Sequence, residues 1–239
     1  MTTAAELVYG RRAVREALRG RREVLELLST ERAGRDGWDR KPKIVPERVL
    51  TELAGTRDHQ GVVARVEPFR YADAYELAAG EPLLVALDQV TDPRNLGAVI
   101  RSAEGAGATG VLVPKHRAVH VTPTVAKAAA GAIEHLPIAV VSGLPAALQR
   151  AKQLGCWIVG LDDGADRSLF DLDDLGREPL VLVLGAEGAG LSRLVRQRCD
   201  VLVAIPMLGH LSSLNVAAAA TLACYEVARQ RLGPHPAAN

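Results

Sequence analysis

The sequence predicts an α/β protein in which helices flank a parallel sheet, preceded by a smaller α/β unit. Two observations carry this reading. From Leu83 onward, unbroken Val/Leu/Ile runs alternate with helical patterns, as strands buried on both faces require. Ahead of them, short mixed elements end in a stretch broken by Pro68, Gly80 and Pro82. With 239 residues, 48% hydrophobic and 24% charged, the chain can bury a substantial core and lacks the composition of a disordered protein.

Residues 1–70 read as the smaller unit. A helix over 11–19 leads to a strand near Val24–Leu28, then a polar loop, "ERAGRDGWDRKP", and a short strand, "KIV". "PERVLTELAG" is a second helix, with Pro46 near its start and Gly55 at its end. "GVVARVE" is a further strand, and residues 71–82 read as a linker. Residues 83–239 form the larger domain. Its strands are expected at "LLVALD", "GVLVP", "PIAVV", "CWIVGLD", "LVLVLG" and "VLVAIP". Its helices are expected over about 95–106, 123–134, 144–154, 191–197 and 214–231.

Charge is unevenly placed. Residues 1–70 hold 15 Lys and Arg against 11 Asp and Glu, while the whole chain is only +1. The densest basic stretch contains Arg11, Arg12, Arg15 and Arg19. On a helix, Arg11, Arg15, Arg19 and Arg22 share a face, which suits a phosphate backbone; a solvated helix face fits the same pattern. No apolar run approaches the roughly 18–20 residues that span a bilayer, and the N-terminus has no signal-peptide core. Cys156, Cys199 and Cys224 form no paired motif, so a reduced, cytoplasmic setting is expected. His116 and His120 are four apart but nothing is spaced to complete a site, so no metal is expected.

Ligands of parallel sheets bind beyond the C-terminal ends of the strands. Three post-strand loops are informative. In "DQVTDPRNLGAVIRSA", Asn95 reads as a helix N-cap and Gly97 as a point of close approach. Arg101 follows six residues later, near the same side of an otherwise apolar helix. In "LVLVLGAEGAGLS", Gly185, Gly188 and Gly190 reverse the dinucleotide fingerprint, and no acidic partner follows about 20 residues on, which disfavours a nicotinamide-dependent oxidoreductase. In "VAIPMLGHLSSLNVAAAA", Ser212, Ser213 and Asn215 place short polar groups before an alanine-rich helix. Singly, each loop is also an ordinary strand-to-helix turn; in this order they point to one pocket.

Together "DPRNLGAVIRSA", "LGAEGAGLS" and "IPMLGHLSSLNVAAAA" resemble motifs one, two and three of the SpoU (TrmH-type) RNA ribose 2′-O-methyltransferases of the SPOUT superfamily, over about residues 83–231. "VYGRRAVREAL" and "DHQGVVARVE" resemble the L30e-like RNA-binding domain of RlmB-type enzymes, which methylate a guanosine ribose of large-subunit ribosomal RNA; here that domain is short between Ser29 and Lys43. The resemblance implies a deep C-terminal trefoil knot, a homodimer, and S-adenosylmethionine bound within the knot loops. It assigns Leu184, Gly185, Gly188, Ile205, Met207 and Leu214 to the cofactor. It assigns Asn95, Arg101, Glu187, Ser213 and Asn215 to the polar active-site set.

The implied reaction is methyl transfer to a ribose 2′-hydroxyl, with a guanosine of 23S rRNA as the leading substrate. A tRNA methyltransferase, a resistance-conferring rRNA methyltransferase and a non-catalytic RNA-binding protein are the alternatives; the intact polar set speaks against the last. The family's counterpart of Arg101 is proposed as the general base. A guanidinium keeps its proton to a pKa above about 12, so orienting the ribose and its phosphate is the physically cheaper role.

Overall fold

The computed structural model describes residues 5–186 and 188–233. A four-stranded sheet forms the N-terminal part. Its strands are β1 (Glu6–Tyr9), β2 (Val24–Ser29), β3 (Lys43–Ile44) and β4 (Val62–Val66), in the order β1-β4-β2-β3. β4 runs antiparallel to β1 and β2, and β3 pairs parallel to β2. Helices α1 (Arg11–Arg19) and α2 (Glu47–Ala54) cover opposite faces, with Val14 and Leu50 fully buried. The sequence reading missed β1: "ELVY" is too short to show a period, and only its pairing with β4 makes it a strand.

The larger sheet is wholly parallel. It contains β5 (Leu83–Leu87), β6 (Gly110–Pro114), β7 (Ile138–Val141), β8 (Trp157–Leu161), β9 (Leu180–Leu184) and β10 (Val201–Val203), ordered β10-β8-β9-β5-β6-β7. Alternate residues of β5 enter separate cores: Leu83, Val85 and Leu87 one, Leu84 and Ala86 the other. The first core lies under α4 (Pro93–Gly105), α5 (Pro123–Ala128) and α8 (Val216–Leu232). The second lies under α3 (Ala74–Leu77), α6 (Leu144–Gln153) and α7 (Arg193–Arg196). Both faces of the sheet are therefore dry, which is why its strands carry no polar alternation.

Two segments differ from their expected form. Residues 71–82 contain α3, capped by Asp73, and they bond to the larger sheet: Ala72 N–H donates to the Ile138 carbonyl at 2.8 Å, and Val121 N–H to the Tyr71 hydroxyl at 3.1 Å. The helix expected over 123–134 stops at Ala128 and resumes as a 3-10 turn over Ala132–Glu134. A Cβ on Gly131, whose φ is +92°, would lie 2.4 Å from Glu16 Cβ, so α1 packs directly on the break. Steric matching between the two sheets, absent from local propensity, sets that boundary.

The same junction holds a buried ion pair. Arg22 Nε and Nη2 donate to Glu134 Oε2 and Oε1 at 3.0 and 2.5 Å, and Nη1 reaches Glu6 Oε2 at 2.9 Å. The Arg22 and Glu134 side chains are 9% and 1% exposed. Arg22 thus leaves the expected basic stripe and fastens the two sheets together. Removing one partner strands the other charge, so Glu134→Ala should cost roughly 3–5 kcal/mol. Glu16→Ala, which breaks the more exposed His135–Glu16 pair at 2.8 Å, should cost under about 1 kcal/mol. Chemical denaturation of both variants checks the contrast.

Candidate active site

The ends of β5, β8, β9 and β10 deliver their loops to one edge of the sheet. Two adjoining clefts open there, of about 250 and 80 Å³. The larger is walled by Leu161, Ile205, Met207, Ser213 and Leu214. The smaller is walled by Leu184, Gly185, Gly188, Gly190, Ser213 and Leu214. All six residues expected at the cofactor therefore line one cleft or the other, and Ser213 lines both.

The narrowness of the smaller cleft comes from its glycines. A Cβ on Gly185 would fall 2.1 Å from the Gly190 carbonyl carbon and oxygen, a distance no side chain tolerates. Gly190 N–H closes the turn by donating to the Ala186 carbonyl at 2.9 Å, and Gly188 and Gly190 have φ of +74° and +62°. Buried Asp88, 5% exposed at the end of β5, holds the far end of this loop: its Oδ2 accepts Ser192 N–H at 2.7 Å. The Ser192 side chain makes no cap bond to α7.

The polar set divides. Asn215 Nδ2 donates to Asn95 Oδ1 at 3.1 Å, joining the start of α8 to the first turn of α4 across 120 residues. Asn215 also caps α8 through Ala217 N–H at 2.8 Å. Asn95 is not an N-cap: α4 begins at Pro93, and Asp92 caps it by accepting Arg94 N–H at 2.7 Å. Proline at the first helical position requires this shift, because its preceding residue is the natural cap. Asn95 is thereby released for Asn215. Gly97 does admit a close neighbour, but that neighbour is α5: a Cβ there would meet Ala128 Cβ at 2.4 Å and Ala129 N at 2.8 Å.

Arg101 lies apart from this set. It is exposed, lines neither cleft, and its side chain makes no hydrogen bond or ion pair among the described residues. Six residues at about 100° each put it roughly 120° round α4 from Asn95, so the two do not share a side. Glu187 lies outside the described residues. Asp163, which lines both clefts, was missed by the sequence reading. The signal was present, since "CWIVGLDD" ends a buried strand as the other three loops do.

The stripe Arg11, Arg12, Arg15 and Arg19 runs along α1 with all four residues exposed, yet three are engaged. Arg11 Nε lies 3.1 Å from Asp36 Oδ2, an ion pair without hydrogen-bond alignment. Arg15 donates to the Asp36 carbonyl at 3.1 Å and stacks over Trp38. Arg19 pairs with Asp39 at 3.5 Å. The loop after β2 folds back over this helix face and offsets its charge. Among the described residues, no group of three or more His, Cys, Asp or Glu could hold a metal ion, and no helix is long and apolar enough to cross a membrane.

The fold and the clefts define a class that comparison with known proteins makes specific. The family model for the SpoU rRNA Methylase family matches residues 82–225, and that for RNA 2′-O ribose methyltransferase substrate binding matches residues 7–72. The chain belongs to the SpoU rRNA methylase family. It is 41% identical over 250 residues to the 23S rRNA (guanosine-2′-O-)-methyltransferase RlmB of Pseudomonas aeruginosa, covering 95% of this chain and 97% of that one. It is 47% identical over 194 residues to an uncharacterized tRNA/rRNA methyltransferase of Mycobacterium avium, covering 79% of this chain but only 62% of that relative. The crystal structure of the SpoU methyltransferase AviRb from Streptomyces viridochromogenes in complex with AdoMet superposes with a TM-score of 0.79 at 32% identity, covering 96% and 91% of the two chains. The protein is an RNA 2′-O-methyltransferase, and its cofactor is S-adenosylmethionine.

The clefts suit that cofactor. Leu161, Leu184, Ile205 and Leu214 offer apolar walls to an adenine, and Gly185 and Gly188 expose backbone without side chains. Asp163 adds a carboxylate for a cationic ligand. Gly185→Ala should abolish S-adenosylmethionine binding in calorimetry, because its added carbon has no room. Asp88→Ala should weaken cofactor binding about tenfold by freeing Ser192 N–H, and Asp88→Asn, which keeps an acceptor, should recover most of it. KM for the cofactor reads this out.

Proposed function

We propose that the protein transfers a methyl group to the ribose 2′-hydroxyl of a guanosine in 23S rRNA. The observation that carries the site is the Asn95–Asn215 hydrogen bond, which closes two of the three motif loops together beside the cleft lined by the third. The substrate reading is supported by RlmB of Pseudomonas aeruginosa, which this chain matches over nearly its full length. The chain spans less than two thirds of the mycobacterial relative, so the ribosomal substrate is taken from the RlmB likeness alone.

In this reading Leu184, Gly185, Gly188, Ile205, Met207 and Leu214 cradle S-adenosylmethionine, and the trefoil knot implied by the family runs through the same loops. The bound cofactor supplies an electrophilic methyl. The protein aligns the acceptor hydroxyl with it and excludes competing water. Asn95 and Asn215 fix the loop geometry, with Glu187 assigned beside them; Ser213, which lines both clefts, sits at the cofactor. Arg101, exposed and uncommitted among the described residues, engages the RNA ribose and its phosphate. The residues divide into an RNA substrate-binding domain over 1–70, a linker over 71–82 and a catalytic domain over 83–239.

A homodimer in the cytoplasm completes the proposal. Leu222 and Tyr225 on α8 are 39% and 51% exposed, an apolar surface beside α4 that a second copy would cover. All three cysteines are free thiols, and burial pushes Cys224 up to about 12, away from oxidation chemistry.

Mapping 2′-O-methyl groups on 23S rRNA incubated with protein and S-adenosylmethionine tests the substrate. One new methylated guanosine is expected; methylation confined to tRNA overturns the reading. Arg101→Ala should lower kcat about 10²-fold with cofactor KM unchanged, and Arg101→Lys should restore little, since lysine lacks the planar fork. Single-turnover methyl transfer measures both.

A further inference from the structure

A further cleft, of about 580 Å³, lies on the N-terminal sheet away from the cofactor loops. Arg11, Thr30, Arg32, Glu47, Arg57 and Gln60 line it. The side chains of Arg32 and Arg57 make no hydrogen bond or ion pair among the described residues, and both are exposed. This contrasts with the stripe on α1, where Asp36 and Asp39 pair with Arg11 and Arg19 and the Asp36 carbonyl accepts from Arg15. Glu47 is the single carboxylate in the lining.

The wall of this cleft is built rather than incidental. Gln60 has φ +54° and is followed by Gly61 at +78°, a turn that a glutamine adopts only under constraint. The constraint is His59, 1% exposed. Its Nδ1 accepts Gly61 N–H at 3.0 Å, and its Nε2 lies 3.0 Å from Thr51 Oγ1, which itself donates to the Glu47 carbonyl. That arrangement leaves the Nε2 proton for Thr51 and ties the turn to α2. Gln60 Oε1 accepts Arg11 N–H at 2.9 Å, so its amide nitrogen keeps two donors for a ligand. Two uncommitted guanidiniums and a side-chain amide make a surface of donors.

The cleft is also rigidly joined to the catalytic domain. Gly10, whose Cβ would lie 3.5 Å from Gln60 Oε1 and 3.8 Å from Lys127 Cγ, sits between its wall and α5. Lys127 pairs with Asp58 at 3.0 Å, one residue before His59. α5 in turn presses on Gly97 of α4, the helix that carries Asn95 and Arg101.

We propose that the cleft of Arg32, Arg57 and Gln60 grips phosphates of the RNA backbone at a fixed span from the methyl-transfer site. The inference rests on the RNA substrate reading above. It replaces the α1 stripe as the main electrostatic contact of this domain and makes Arg32 and Arg57 binding residues.

The test is binding of a 23S rRNA transcript to the full chain across a salt series. Arg32→Ala/Arg57→Ala should raise Kd about tenfold or more at low salt, and should flatten the slope of log K against log salt by about one to two. Arg32→Lys/Arg57→Lys should keep most of that slope, because charge survives. S-adenosylmethionine affinity should be unchanged in both variants, which establishes that they fold. A Kd within twofold of the wild-type protein and an unaltered slope overturn the proposal, as does equal loss in the alanine and lysine variants. The substrate reading fails separately, through the absence of 2′-O-methylguanosine from wild-type reactions.

Discussion

The approach of Gly185 to Gly190 is the constraint on which the site depends. Backbone meets backbone there at a distance that leaves no place for a methyl group. A chain so close to itself cannot be held by side-chain packing, so its neighbours hold it by hydrogen bonds: Gly190 N–H to Ala186, and Ser192 N–H to the buried carboxylate of Asp88. A side-chain acceptor is suited to this task, because a buried amide left without a partner costs about 1–3 kcal/mol. The cofactor cleft is therefore a consequence of how β9 leaves the sheet, and Asp88, at the end of the neighbouring β5, is as much a part of it as the residues lining it.

The same economy of backbone contact links the rest. Gly97 lets α5 press into α4, and Gly131 lets α1 press on the turn after α5. These two contacts, with Arg22 on Glu134, make one close-packed path from the N-terminal sheet to α4, the helix that carries Asn95. Interiors packed to crystal density transmit position well. On the proposed reading an RNA held on the N-terminal sheet would meet the motif loops at a set distance, since residues 71–82, bonded to Ile138 and Val121, do not act as a slack tether.

Much of this was legible in the sequence because it is repetitive and local. The Val/Leu/Ile strands announce burial on both faces, and the rule that sites follow parallel strands found the loops that line both clefts. The same rule, applied to "CWIVGLDD", would have found Asp163. Of what escaped, one part was local and the rest was set by pairing across the fold. Asn95 looked like a cap, and only the helical preference of Pro93 shows that Asp92 takes that place. The α1 arginines looked like a free phosphate-binding stripe, because nothing local shows that Asp36 and Asp39 return to them or that Glu134, 112 residues from Arg22, is waiting for it.

The two ligands of the protein are met by different physics. Around the cofactor clefts the recognising groups are backbone and aliphatic walls, with Asp163 as an exposed carboxylate. Such contacts are short-ranged and little affected by ionic strength. On the N-terminal sheet the cleft presents the exposed guanidiniums of Arg32 and Arg57, and aromatic residues are only 3% of the chain, so base stacking has little to offer. Attraction to RNA then comes mainly from counterion release, which falls steeply with salt. On the proposed reading, cofactor clefts walled mainly by backbone and aliphatic groups stand apart from a salt-sensitive arginine grip on RNA.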